Sequence, residues 1–166
     1  MSKKTIWITG GSTGIGKALA IKFAAMGWNV AISARRAELL NELSNSYENI
    51  SGFPLDVTDI EKCKEVFNEI KNKYENIDIC FFSTGTWDPK KEKEIDVEQM
   101  EDVFKVNFFG TVNCIKAVEQ YFRDKKKGII TIVSSIAGYR GLPNSTGYGP
   151  STVSYTHLTL PTSIQV

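Results

Sequence analysis

Three features of the chain have residue types and spacings suited to chemistry. The first is Tyr148, which follows Ser135 by thirteen residues in a stretch that begins Ser134-Ser135-Ile136-Ala137-Gly138. A phenol has an unperturbed pKa of about 10 and transfers protons poorly at neutral pH until a nearby cation stabilises its phenolate. That cation belongs one helical turn after Tyr148, and Thr152 occupies the place. The second is Thr9-Gly10-Gly11-Ser12-Thr13-Gly14-Ile15-Gly16, which closes an apolar run and opens a helical pattern. Here Gly10 permits a tight turn, Gly14 a close backbone approach to a pyrophosphate, and Gly16 close helix–strand packing, while free N–H groups at the helix start face the anion. The third is the pair Arg35-Arg36, which supplies cations just after a second apolar run.

A rival pattern overlies the glycine turn. Gly11 to Lys17 spells G-x-x-x-x-G-K, the beginning of a P-loop of a nucleotidase or kinase, where Ser or Thr must come next to hold magnesium. Ala18 stands there instead, and no apolar strand ending in an aspartate clearly completes such a metal site.

These groups need a scaffold that brings strand ends together. Apolar runs at 5–9, 29–34, 50–55, 77–82 and 128–134 predict strands, and apolar residues at three- and four-residue spacing predict helices over 15–26, 37–47, 60–74 and 97–122. The last is either one long helix or two. This alternation predicts an α/β fold, a Rossmann-type doubly wound parallel sheet limited to its first five strands. Residues 87–95, with Pro89 and a run of lysines and glutamates, read as an exposed loop. Lys125-Lys126-Lys127 before Gly128 read as a solvated helix end matched to the helix dipole.

At 166 residues, 42% hydrophobic and 23% charged, the chain has the composition of one soluble domain. Its net charge of +1 argues against nucleic-acid or membrane partners held by bulk electrostatics. The three cysteines, Cys63, Cys80 and Cys114, are widely spaced and fit a reducing cytoplasm. The residues after Met1 form too short an apolar run for a signal peptide, and no metal-ligand spacing is evident.

Together with Asn107 in Val106-Asn107-Phe108-Phe109-Gly110, the glycine turn, Ser135 and Tyr148 make residues 4–151 resemble the short-chain dehydrogenase/reductase (SDR) family. The resemblance implies an NAD(P)(H)-dependent oxidoreductase that interconverts a carbonyl and a secondary alcohol by hydride transfer. It makes Tyr148 the general acid or base, Ser135 a hydrogen-bond donor to the substrate oxygen, and Asn107 the holder of a relay water. It assigns cofactor contacts to Thr9, Gly10, Ser12, Thr13, Gly14, Ile15 and Gly16, to Asp56 and Val57 after the third strand, to Gly85 after the fourth, and to Tyr148. Ala34 replaces the acidic residue that favours NAD, so Arg35 and Arg36 point to NADP(H), with Arg35 the better 2′-phosphate partner. Thr13 is less typical of NADP-binding members, and both arginines could instead be solvated helix-start residues. Phe82-Ser83-Thr84-Gly85 departs from the family's Asn-Asn-Ala-Gly and removes the amide side chains that brace the sheet. The family further implies a small-molecule carbonyl or alcohol substrate and a homodimeric or homotetrameric parent.

The family also places a lysine where Thr152 stands, followed by roughly a hundred further residues. Residues 153–162 instead resemble the translation of a transposase sequencing adapter, with 163–166 accounted for by an index and its flank. The expectation is a partial NAD(P)-binding Rossmann domain over 1–151 and an artefactual tail over 152–166. Such a fragment is expected to be inactive. The alternative is a pseudoenzyme that binds NADP without turnover.

Overall fold

The structure is a computed structural model and describes residues 3–158. The predicted alternation is present throughout: β1 (Thr5–Thr9), α1 (Gly14–Ala25), β2 (Asn29–Ala34), α2 (Ala37–Ser46), β3 (Ile50–Pro54), α3 (Ile60–Lys73), β4 (Ile79–Phe82), α4 (Val97–Phe104), α5 (Gly110–Lys125), β5 (Ile129–Ile132) and α6 (Tyr148–Val153). All strand pairs are parallel, in the order β3-β2-β1-β4-β5. This is the Rossmann-like α/β fold expected from the sequence. Of the segment read as foreign, Thr152 to Leu158 fall among the described residues and the rest, including Ser163 to Val166, lie outside them.

Successive side chains of a strand point to opposite faces of the sheet, so β1, the central strand, feeds two cores. Ile6 and Ile8 pack with Ala20, Ala24, Leu40 and Leu43 from α1 and α2. Trp7 faces the other way and joins Val66, Phe67 and Ile70 of α3 and Cys114, Ile115 and Val118 of α5. Its ring meets Phe82 edge-on at 5.6 Å, and its buried Nε1–H donates to Ser33 Oγ at 2.9 Å. That bond removes the cost of burying an indole N–H in the sheet.

The helix predicted over 97–122 is one run interrupted by a π-helical stretch, Lys105–Phe109. Gly110, directly after it, lets the run pass close to the connection between β3 and α3: a Cβ there would lie 2.5 Å from Val57 Cγ2. The lysine cluster differs from expectation. Lys125 lies within α5 and donates to Ile77 O at 2.6 Å, with Asp78 Oδ1 at 3.6 Å, so it ties the helix end to the entry of β4. Lys126 takes the left-handed capping conformation, φ 51°. The expected exposed loop at 87–95 also needs correction, because Glu92 within it is fully buried. Among the described residues no helix is long and apolar enough to cross a membrane.

Candidate cofactor and active site

Strand order reverses at β1, whose neighbours are β2 and β4, and in open α/β sheets ligands bind in the crevice beyond such a switch point. A cleft of about 850 Å³ opens there, within the range of small-molecule and cofactor sites. The glycine turn forms its floor. Gly10 has φ +68° and passes so close to β4 that a Cβ would sit 2.8 Å from Ser83 O, while a Cβ on Gly16 would meet Gly10 O at 2.4 Å. Gly14 has φ +55° and faces open space, with no atom within 4 Å of an added Cβ. The chain is thus pinched tight on the protein side and bare on the cleft side, which is the shape a bound pyrophosphate at the start of α1 requires.

Gly10, Ser12, Thr13, Gly14, Ile15 and Gly16 all line this cleft, with Arg35, Arg36, Asp56, Val57 and Gly85. Thr9 lies beneath it, buried in β1, with its Oγ1 free of any partner. Its carbonyl accepts the Ser83 hydroxyl at 2.6 Å. Ser83 therefore ties β1 to β4 at the cleft floor, a bracing role that the missing amide side chains had left unassigned. Arg35 and Arg36 are exposed at the far end, available to an anion. Asp56 closes a local turn, accepting from Thr58 N at 3.0 Å and Thr58 Oγ1 at 2.8 Å. Those bonds, Thr58 N–H first, hold its carboxyl below its ordinary pKa, aided by Arg35 and Lys105. Asp59, not Asp56, caps α3, accepting from Lys62 N.

A second cleft of about 220 Å³ shares Ile15, Ser83, Thr84, Gly85 and Thr86 with the first and is completed by Trp87, Asn107, Ser134, Tyr148, Thr152 and Tyr155. Tyr148 and Thr152, one turn apart on α6, both face it, so the position where a lysine is expected does point at the same space. Thr152 is neutral and buried, its Oγ1 committed to Gly149 O at 2.8 Å. Asn107 Oδ1 accepts Thr86 N at 2.7 Å, and its Nδ2 donates to Thr86 O at 3.0 Å and Ser151 Oγ at 3.1 Å. The π stretch leaves its carbonyl to side-chain donors: Thr111 Oγ1 at 2.8 Å and the Tyr155 hydroxyl. Burial raises the Tyr155 phenol pKa, against the lowering influence of Thr111.

Ser135 is placed differently from Tyr148 and Asn107. It lies at the end of β5's extension and caps the short turn Ile136–Gly138, its Oγ accepting from Ala137 N at 3.2 Å, while its neighbour Ser134 lines the cleft. Sequence reasoning passed over Trp87, which stacks on Tyr148 with ring centroids 5.2 Å apart and planes 20° from parallel. It also missed Glu92, whose Oε2 accepts from both Gly147 N and Tyr148 N. A tryptophan isolated in a charged loop was an available signal for the first. Glu92, one of several alternating charges, offered none.

A family model described as short chain dehydrogenase matches residues 4–163. The chain is 32% identical over 159 residues to "Dehydrogenase/reductase SDR family protein 7-like" of Dictyostelium discoideum, covering 89% of this chain and 50% of that protein. It is 28% identical to "Dehydrogenase/reductase SDR family member 7" of Mus musculus, covering 89% and 46%. The chain thus spans about half the length of these curated relatives. Among solved structures, ElxO with NADP bound superposes with a TM-score of 0.86 at 31% identity, covering 96% of this chain and 66% of that one.

Proposed function

The chain belongs to the short-chain dehydrogenase family, and on that footing we propose that it derives from an NADP(H)-dependent oxidoreductase that interconverts a carbonyl and a secondary alcohol. The observation that carries this reading is the pair of confluent clefts, one built for a dinucleotide and ending at two arginines, the other holding Tyr148. The nicotinamide supplies or accepts the hydride when bound. Gly14 and the first N–H groups of α1 would receive the pyrophosphate, Asp56 and Val57 would hold the adenine end, and Gly85 would allow close backbone approach to the cofactor. Tyr148 gives or takes the proton on the substrate oxygen, Ser135 donates a hydrogen bond to that oxygen, and Asn107 holds the relay behind them. Support for NADP comes from Arg35 and Arg36 and from ElxO, described with NADP bound.

Calorimetric titration tests the cofactor assignment. NADPH should bind more tightly than NADH, and Arg35→Ala should weaken NADPH by roughly 10- to 100-fold, the worth of one or two charge-assisted hydrogen bonds, with little effect on NADH. Equal affinities in the unsubstituted chain would remove the NADP assignment.

Thr152 favours a second reading, a module that holds NADP without turnover. A neutral hydroxyl bound to its own helix does nothing to stabilise a Tyr148 phenolate. In the first reading, residues 152–166 are adapter-derived and the parent carries lysine at position 152; resequencing the gene across the Ser151 codon checks this directly. The full-length parent recovered in that way separates the two biochemically. NADPH oxidation with a carbonyl panel is expected of it as an oxidoreductase. NADPH binding without hydride transfer would support the binding module. The parent's substrate is a small carbonyl or alcohol, and its assembly a homodimer or homotetramer.

A further inference from the structure

The loop expected to be solvated is fastened at four points to the segment that delivers Tyr148. Trp87 Nε1 donates to Asn144 O at 3.0 Å, Thr146 Oγ1 donates to Glu94 O at 3.3 Å, and Glu92 Oε2 accepts from Gly147 N at 3.0 Å and Tyr148 N at 2.9 Å. The Trp87 ring lies flat on the Tyr148 phenol. Backbone geometry is fitted to this closure: Asn144 has φ 54°, and Gly147 leaves room for α4, a Cβ there meeting Met100 Cα at 3.2 Å.

Glu92 is an expensive way to fill an interior position. It is fully buried, and Oε1 has no hydrogen-bond partner. A buried carboxylate with one oxygen unpartnered costs stability that an apolar side chain of similar volume would not. What an apolar side chain cannot do is receive two adjacent backbone N–H groups on a single oxygen and so fix where Tyr148 begins.

We propose that Glu92 and Trp87 are positioning residues for Tyr148: the buried carboxylate anchors its backbone and the indole holds its ring, so that the phenol is set in the cleft before any ligand arrives. This rests on the reading of Tyr148 as the proton-transfer group. Preorganisation of this kind limits the loss of reactive geometry to which proton transfer is sensitive. Trp87 remains 44% exposed, so its free face is the part of the clamp that a substrate meets.

The test reads the tyrosine itself, without cofactor or turnover. In ring-¹³C-tyrosine NMR of the full chain, Tyr148 is assigned by its loss in Tyr148→Phe. Stacking predicts an upfield ring-current shift for Tyr148 that disappears in Trp87→Leu. Glu92→Ala should abolish the same shift while Tyr74 and Tyr121, packed elsewhere, keep theirs; a general loosening of the fold would move all three. Glu92→Gln keeps a carbonyl oxygen for both N–H groups and should retain the shift. A Tyr148 signal unchanged in folded Glu92→Ala overturns the proposal. If Glu92→Ala does not fold, Glu92→Gln decides: a folded Gln variant that retains the shift supports the clamp, and one that loses it, or that does not fold, overturns the role assigned to the two N–H bonds. Failure to bind NADPH in titration would strike the cofactor reading and leave this result standing, since the shift is measured on the free chain.

Discussion

Asp56 illustrates how a single side chain can serve a local turn and border a binding cleft at once. Its carboxylate is held in the charged form chiefly by the Thr58 N–H and hydroxyl, so its folded-state pKa lies below that of the unfolded chain. A depressed carboxyl pKa contributes stability that is complete above the unfolded value, about 3.9, and is lost as pH falls through the folded value. The stability advantage of the chain over Asp56→Asn should therefore be present at neutral pH and shrink below about pH 4 in urea denaturation. The side chain is largely exposed, so solvent screening limits the difference to a fraction of ~1 kcal/mol. An advantage that grows on acidification would contradict this account. Position by position, Gly10, Gly14 and Gly16 were readable because each takes a conformation or an approach that a Cβ would hinder. Glu92 was not, because nothing in a string of alternating charges says which one turns inward; that is decided by N–H groups more than fifty residues away.

Elements were more legible than residues. Bounds for β1 and β2 match the apolar runs, since strands buried on both faces carry a near-continuous apolar stretch. β4 and β5 are shorter than their runs. At the start of β4, Asp78 keeps its backbone bonds to Thr5 O and Ile129 N and adds its carboxylate to Thr5 N, whereas Ile77 N–H leaves the ladder for the Tyr121 hydroxyl. The π stretch Lys105–Phe109 was illegible, because Val103, Phe104, Val106, Phe108 and Phe109 crowd this part of the helix and a slip of phase turns one apolar side chain in where another turns out. β5 is also the edge of the sheet among the described residues, paired only with β4, and Ile129 is 53% exposed. Hydrogen exchange should rank the strands accordingly. Amides of β1, bonded on both sides, should be the slowest, and those of β5 that point away from β4 should exchange orders of magnitude faster. Equal protection of β1 and β5 would mean that something covers this edge.

For the molecule as a whole, the two cores on either side of one sheet make all three thiols a probe of folding. Cys63, Cys80 and Cys114 are free and fully buried, with Cys63 and Cys114 Sγ 3.9 Å apart. A hydrogen bond shared with Cys63, and then burial, push the Cys114 thiol pKa up, and burial does the same to Cys80. Thiolate is the reactive form, so the folded chain should not react with Ellman's reagent, while all three thiols should react together in denaturant. Rapid reaction of one thiol under native conditions would show that the helical layer over α3 and α5 opens locally. Outside those cores Ile136, Tyr139 and Val153 stay exposed, on the turn after β5 and on α6.

The stacked pair of Trp87 and Tyr148 also has an optical consequence. Trp7 is locked in the core and Trp28 sits against Phe23 at 4.8 Å, while Trp87 lines the smaller cleft and keeps 44% of its surface exposed. Acrylamide in the solvent should therefore quench the Trp87 emission first. A ligand that fills the cleft should shield that indole from the quencher, so collisional quenching would report occupancy without any turnover.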